Sequence, residues 1–147
     1  MSGGHGSIED VLAREGMYVT STAGASMWPL LRDRRDTAVI HPLTRAPRVG
    51  DVVLFRHRGR YVLHRVARVR GEVLDIIGDN CLAYERGVAR ADVVGVLAGL
   101  HRDKREVDLE GPVYRAYVLA VRVTRPLHRA LLALRATARR RMRGGAR

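Results

Sequence analysis

Cysteine is almost absent from this chain: Cys81 is the only one among 147 residues. A lone thiol makes no intramolecular disulfide and builds no cysteine zinc site, so a reducing, cytoplasmic setting is the expectation. Lysine is equally scarce, with Lys104 alone against 26 arginines. Long apolar runs are missing as well. A bilayer-spanning helix takes ~20 apolar residues, whereas the longest run here, from Val93 to Leu100, has eight, with glycines inside it. Neither a membrane span nor a secretory leader is expected, because Met1-Ser2-Gly3-Gly4-His5-Gly6 leads into an acidic turn rather than an apolar stretch. His5, His41, His57, His101 and His128 show no metal-ligand spacing with one another, so neither a metal nor a cofactor is expected. Acidic residues are missing from one region only. Residues 112–147 hold ten arginines and no Asp or Glu, while residues 1–111 hold 17 basic and 15 acidic side chains. Of the formal charge of +12, +10 therefore belongs to the C-terminal end and only +2 to the rest. A near-neutral body excludes a uniformly basic nucleic-acid-binding domain, and specific nucleic-acid binding is not expected.

What is present is enough apolar material for a core, 46% of residues, in a length that suits one modest globular body. Three segments follow from the local patterns. Residues 1–17 form an arm in which Ser7-Ile8-Glu9-Asp10 has the capping-box pattern and Gly16 closes a short helix. Residues 18–111 carry short β-rich runs punctuated by Gly, Pro and Asp: Thr37 to His41, Asp51 to Arg56, Arg60 to Val69, Val73 to Ile77, Val93 to Leu100 and Arg105 to Leu109. His57-Arg58-Gly59 reads as a hairpin turn. Broken alternation from Leu63 to Val66 predicts a bulge or burial on both faces. The predicted fold class is mainly β: a small, bent antiparallel domain with a short N-terminal helix and a basic helical tail. In the tail, 112–147, Val113, Tyr114, Tyr117, Val118 and Val121 share one face and Arg115, Arg122 and Arg129 another. Pro126 is expected to kink that helix or to start a second one carrying Leu127, Leu131 and Leu134.

Four short boxes stand in order along the body: Gly24-Ala25-Ser26-Met27-Trp28-Pro29, Gly50-Asp51-Val52-Val53, His64-Arg65-Val66 and Gly78-Asp79-Asn80. A serine hydroxyl is a poor nucleophile until a base takes its proton, and an imidazole suits that task at neutral pH. In this order and spacing the boxes resemble the LexA/signal-peptidase superfamily of serine peptidases, over about residues 20 to 100. The resemblance implies Ser26 as nucleophile, in a G-x-S-M-x-P box. His-Arg-Val in place of a lysine box points to the Ser–His branch, that of the archaeal and endoplasmic-reticulum signal peptidases. A Ser–Lys dyad is excluded, since Lys104 lies in a polar stretch outside every box.

By this resemblance His64 is the general base, and the acid that orients it is Glu85 or Asp79. Asp79 also reads as a turn residue accepting backbone amides. Relatives often carry a hydroxyl donor two residues before the nucleophile; Gly24 stands there, so oxyanion stabilisation falls on backbone amides, that of Ser26 first. Gly24 and Met27 are candidate substrate-binding positions, although Met27 also reads as a core residue. Trp28 is a rim-type residue, read either as packing or as a shallow lipid or peptide contact. The implied activity is endopeptidase cleavage of peptide or leader–precursor substrates after small residues. A degenerate protease fold that binds a peptide or partner without cutting it is the competing reading. For the arginine tail four occupants stay open: an anionic inner membrane surface, an acidic precursor peptide, loosely held nucleic acid, or the body itself.

Overall fold

The computed structural model describes residues 6–144; the ends of the arm and of the tail predicted at 1–17 and 112–147 lie partly outside them. Helix α1, Ile8–Glu15, has the predicted capping box: Ser7 Oγ accepts from the Asp10 amide and the Asp10 carboxylate accepts from the Ser7 amide. Gly16 ends it in the left-handed conformation at φ 72°. Its apolar residue Leu12 is buried with Ala38, Ile40 and Leu54.

Among the described residues eight antiparallel strands make one curled sheet: β1 Tyr18–Ser21, β2 Asp36–His41, β3 Val52–His57, β4 Arg60–Arg70, β5 Val73–Ile77, β6 Glu85–Ala89, β7 Val93–Arg102 and β8 Arg105–Glu106. Their order is β1-β2-β7-β3-β4-β5-β6, with β8 paired to β7. The mainly antiparallel β class predicted from the sequence is the class observed. The β3–β4 hairpin turns on Arg58 and Gly59, both at positive φ, as a two-residue turn requires. On β4, His64, Arg65 and Val66 are buried in succession, and a bulge follows between Val66 and Arg68. The broken alternation thus marks both features it predicted.

Strand β6 is absent from the sequence reading. Gly87 interrupts its pattern at φ 67°, and its register against β5 shifts between Leu74 and Ile76. The amide of Gly87 donates to Asp75 Oδ1 at 3.1 Å, a side-chain contact that sequence periodicity does not display. The strand predicted over Arg105 to Leu109 shortens to Arg105–Glu106, after which Val107 and Leu109 fold back onto the apolar cluster of Met27, Leu31 and Leu100.

The C-terminal element is a single helix, α2, Pro112–Gly144. Pro126 removes one backbone donor, yet the helix runs on through it, so no second helix starts there. Most of the expected face is the one turned to the body: Tyr114, Tyr117, Val118 and Val121, joined by Arg125, His128 and Leu132, while Arg115 and Arg122 are exposed as expected. Val113, expected on that side, is 83% exposed, and Leu127, Leu131 and Leu134 face outward too. Arg129, expected on the solvated side, donates to the Leu82 carbonyl at 2.9 Å and lies over the Tyr84 ring. Polar tips add to the apolar stripe on the docked face, where a buried carboxylate and a loop carbonyl accept from Tyr117 and Arg129.

Candidate active site

Alternation along β4 places neighbours His64 and Arg65 on opposite sides of the strand. Each finds its own acid. His64 is buried, with its ring 6.3 Å from that of Phe55, and its Nδ1 lies 3.3 Å from Glu85 Oε2 at the start of β6. Arg65 turns the other way and is fully buried. Its Nε and Nη2 each donate to Asp79 at 2.8 Å, to Oδ1 and Oδ2 in turn. A third Arg65 donor reaches the Gly50 carbonyl at 2.7 Å, joining the second box to the third and fourth.

Asp79 therefore fills neither role read from the sequence. It does not face the histidine, and the donors to its carboxylate are side chains rather than backbone amides: Arg65, and the Tyr117 hydroxyl of α2 at 2.7 Å. An arginine fork matches a carboxylate with two parallel bonds, an arrangement that a neutral imidazole cannot match. Beside Asp79, burial pushes the Tyr117 phenol well above its ordinary value.

Ser26 sits on the loop after β1, half-exposed. Its carbonyl accepts from the Asn80 amide at 2.8 Å, and Asn80 Nδ2 donates to the Ala25 carbonyl at 3.1 Å. The fourth box is thus clamped against the first. Gly78 permits the approach: a Cβ there would stand 2.5 Å from the Ser26 carbonyl oxygen, 2.6 Å from Cys81 Sγ and 3.1 Å from His64 Nε2. Ser26, His64 and Cys81 thereby converge on one glycine. Among the described residues no hydrogen bond links Ser26 Oγ to His64. Burial raises the Cys81 thiol above its ordinary value, and the charge of Glu85 adds to this.

Met27 is buried with Leu30, Leu31, Val52 and Leu100, and its Sδ accepts from the Asp79 amide at 3.4 Å. It is the core residue of its two readings, although it also backs the cleft in front of Ser26. Gly24, at φ 87°, is exposed on the rim of that cleft, its amide donating to Asp33 Oδ1 at 2.8 Å. Trp28 is 52% exposed. The cleft holds about 430 Å3 and is lined by Gly24, Ser26, Met27, Leu31, Leu54 and Leu63 among others. No His/Cys/Asp/Glu group fit to hold a metal ion occurs among the described residues.

Sequence reasoning missed Arg65, Gly78, Tyr117 and Arg125. A signal existed for the first: an arginine inside an apolar strand must be paired to be buried. For Tyr117 the only signal was a phenol within an apolar stripe, where a hydroxyl needs a partner. No protein-family model matches the chain, and no curated protein matches it. Among the described residues no helix is long and apolar enough to cross a membrane.

Proposed function

We propose that this protein is a serine endopeptidase of the Ser–His–acid kind acting on peptide or precursor-protein substrates. Ser26 attacks the scissile carbonyl, His64 takes the hydroxyl proton and returns it to the leaving amine, and water then hydrolyses the acyl-enzyme. Glu85 orients the imidazole from Nδ1, leaving Nε2 for the serine and the substrate. The backbone amide of Ser26 is the first oxyanion donor. The observation that carries the reading is the convergence at Gly78. A buried imidazole backed by a carboxylate at 3.3 Å lies beside a serine loop pinned by the Gly78-Asp79-Asn80 turn.

The cleft suits an extended peptide. It lies between β1, whose outer edge is unpaired among the described residues, and the first half of β4, Arg60 to His64, which among them pairs with β3 alone. A peptide adding to either edge bonds through its backbone, while the apolar wall takes alternate side chains. Incubation of the protein with candidate precursor peptides, read by mass spectrometry, tests the activity. Cleavage by wild type and none by Ser26→Ala is the expected result. Equal labelling of both proteins by a serine-directed acylating probe would sink it. The absent Ser26–His64 hydrogen bond favours the competing reading, a peptide-binding module without turnover, and the same experiment decides between them through binding without cleavage.

The outward side of α2 supports peripheral attachment to an anionic membrane surface. Val123, Leu127 and Leu134 are each about 70% exposed along one side, and the region carries ten arginines without an acid. That charge repels a second copy of the same helix and complements an anionic bilayer, where each basic residue contributes about 1 kcal/mol. Retention on phosphatidylserine vesicles but not on phosphatidylcholine ones, lost in Leu127→Glu, is the expected outcome.

A further inference from the structure

A cavity of about 260 Å3 lies between α2 and the two loops that meet at Ser26. Trp28, Asp79, Cys81, Thr124, Arg125 and His128 are on its wall. Two of these side chains are incompletely satisfied. The Arg125 side chain is only 11% exposed and has no hydrogen bond among the described residues; its nearest carboxylate oxygen is Asp79 Oδ1 at 3.7 Å. That carboxylate is already committed to two bonds from Arg65 and one from Tyr117. Likewise the His128 Nε2 is buried without a hydrogen-bond partner among the described residues.

Two guanidinium charges therefore share one carboxylate, leaving the positive charge of Arg125 without a counterion of its own. A buried cation is costly unless an anion completes it. We infer that the cavity binds a carboxylate of the peptide ligand, held by Arg125 with His128 beside it. This deepens the proposed function and rests on its peptide-binding part: Trp28, on the cavity wall, follows the candidate nucleophile by two residues. The carboxylate meets a guanidinium that presents free donors in a fork. Burial already holds that guanidinium below its ordinary value, against the pull of Asp79, so a second anion relieves an existing cost. The site selects acidic side chains near the cleavage point, a preference separate from that of the apolar cleft on the β1 side.

Trp28 is the only tryptophan of the chain and stands on the cavity wall, so its emission reports occupancy directly. The probes are two acetylated tripeptide amides, each with two alanines followed by glutamate in one and glutamine in the other. They are titrated into the full-length Ser26→Ala protein. The glutamate peptide should shift Trp28 emission saturably, with the glutamine peptide bound ~10-fold more weakly, the scale of one lost charge-assisted bond. Arg125→Gln should erase the difference and Arg125→Lys should restore part of it, with thermal melts confirming that both variants fold. Equal responses to the two peptides, a preference that survives in Arg125→Gln, or no response to either overturns the site. If precursor cleavage by the wild type persists in that event, the peptidase reading stands without it. A glutamate preference in a protein that cleaves nothing leaves the carboxylate site standing and removes the peptidase reading.

Discussion

Arg65 grips Asp79 through two parallel hydrogen bonds of 2.8 Å, and both side chains are withdrawn from solvent. Desolvation alone would weaken the guanidinium charge, yet the paired carboxylate holds Arg65 above its ordinary value. The pair fastens β4 to the turn that carries Asn80, and Tyr117 extends it into α2. Removing one partner of such a pair leaves an uncompensated buried charge at a cost of about 3–5 kcal/mol. Asp79→Asn should lower stability on that scale in urea unfolding. An unchanged midpoint would show that the pair contributes nothing net.

Glu85 calls for the opposite outcome. It is partly exposed and touches the ring only at Nδ1. With Gln in its place the side chain still reaches the ring but carries no charge to stabilise an imidazolium. Glu85→Gln should lower kcat by ~10²-fold or more, leave KM nearly unchanged and cost less than about 1 kcal/mol of stability. A change confined to KM would move Glu85 from positioning the base to binding substrate.

Gly78→Ala separates geometry from chemistry. The added methyl has no room between the Ser26 carbonyl, Cys81 Sγ and His64 Nε2. Overpacking of this kind costs about 1–3 kcal/mol and disturbs the relative placing of the serine loop, the turn and the histidine. Activity should fall by more than stability does, as measured by turnover beside a denaturation curve.

Tyr117→Phe deletes one donor to a buried carboxylate and leaves the ring in place. A loss of about 1–3 kcal/mol is expected, read by chemical unfolding. Removal of α2 altogether, from residue 112 on, should go further. It uncovers Tyr114 and Tyr117 contacts of the Met27 cluster and frees the Gly78-Asp79-Asn80 turn.

Asp36 sets an acid limit. Burial favours its neutral form, but two bonds from Arg102, at 3.1 and 2.8 Å, and one from the Arg32 amide at 2.9 Å hold the carboxyl below its ordinary value of 3.8. A carboxyl lowered in the folded state stabilises at any pH above its unfolded value, and that contribution is lost as pH falls through the folded one. Stability should therefore drop below about pH 4, and Asp36→Asn should flatten that limb in a pH series of thermal melts.

The histidine box shows where sequence reading stops. His64-Arg65-Val66 was legible as a box, and the chain order allowed either Glu85 or Asp79 to serve the imidazole. Strand alternation decides it: consecutive residues face opposite sides, so the two acids part, one to each neighbour. Strand β6, which delivers Glu85, was invisible because Gly87 and a register shift erase the period that a pattern needs. On α2 the stripe of Tyr114, Tyr117, Val118 and Val121 was legible, whereas the exposure of Val113 and the docking of Arg129 depend on partners across the gap that spacing does not display.

What the sequence determined by itself is local: the capping box of α1, the Arg58-Gly59 turn, the antiparallel β class, the break in β4 and the gathering of positive charge after residue 111. Each depends on neighbours a few positions apart, where spacing is geometry. Tertiary structure alone decided which carboxylate meets which base, why Gly78 must lack a side chain, and that the arginine-rich helix sends Tyr117 and Arg125 to the turn behind the candidate nucleophile. Those facts depend on which free donors and acceptors end up facing each other after the sheet curls, and burial is what makes each such meeting count.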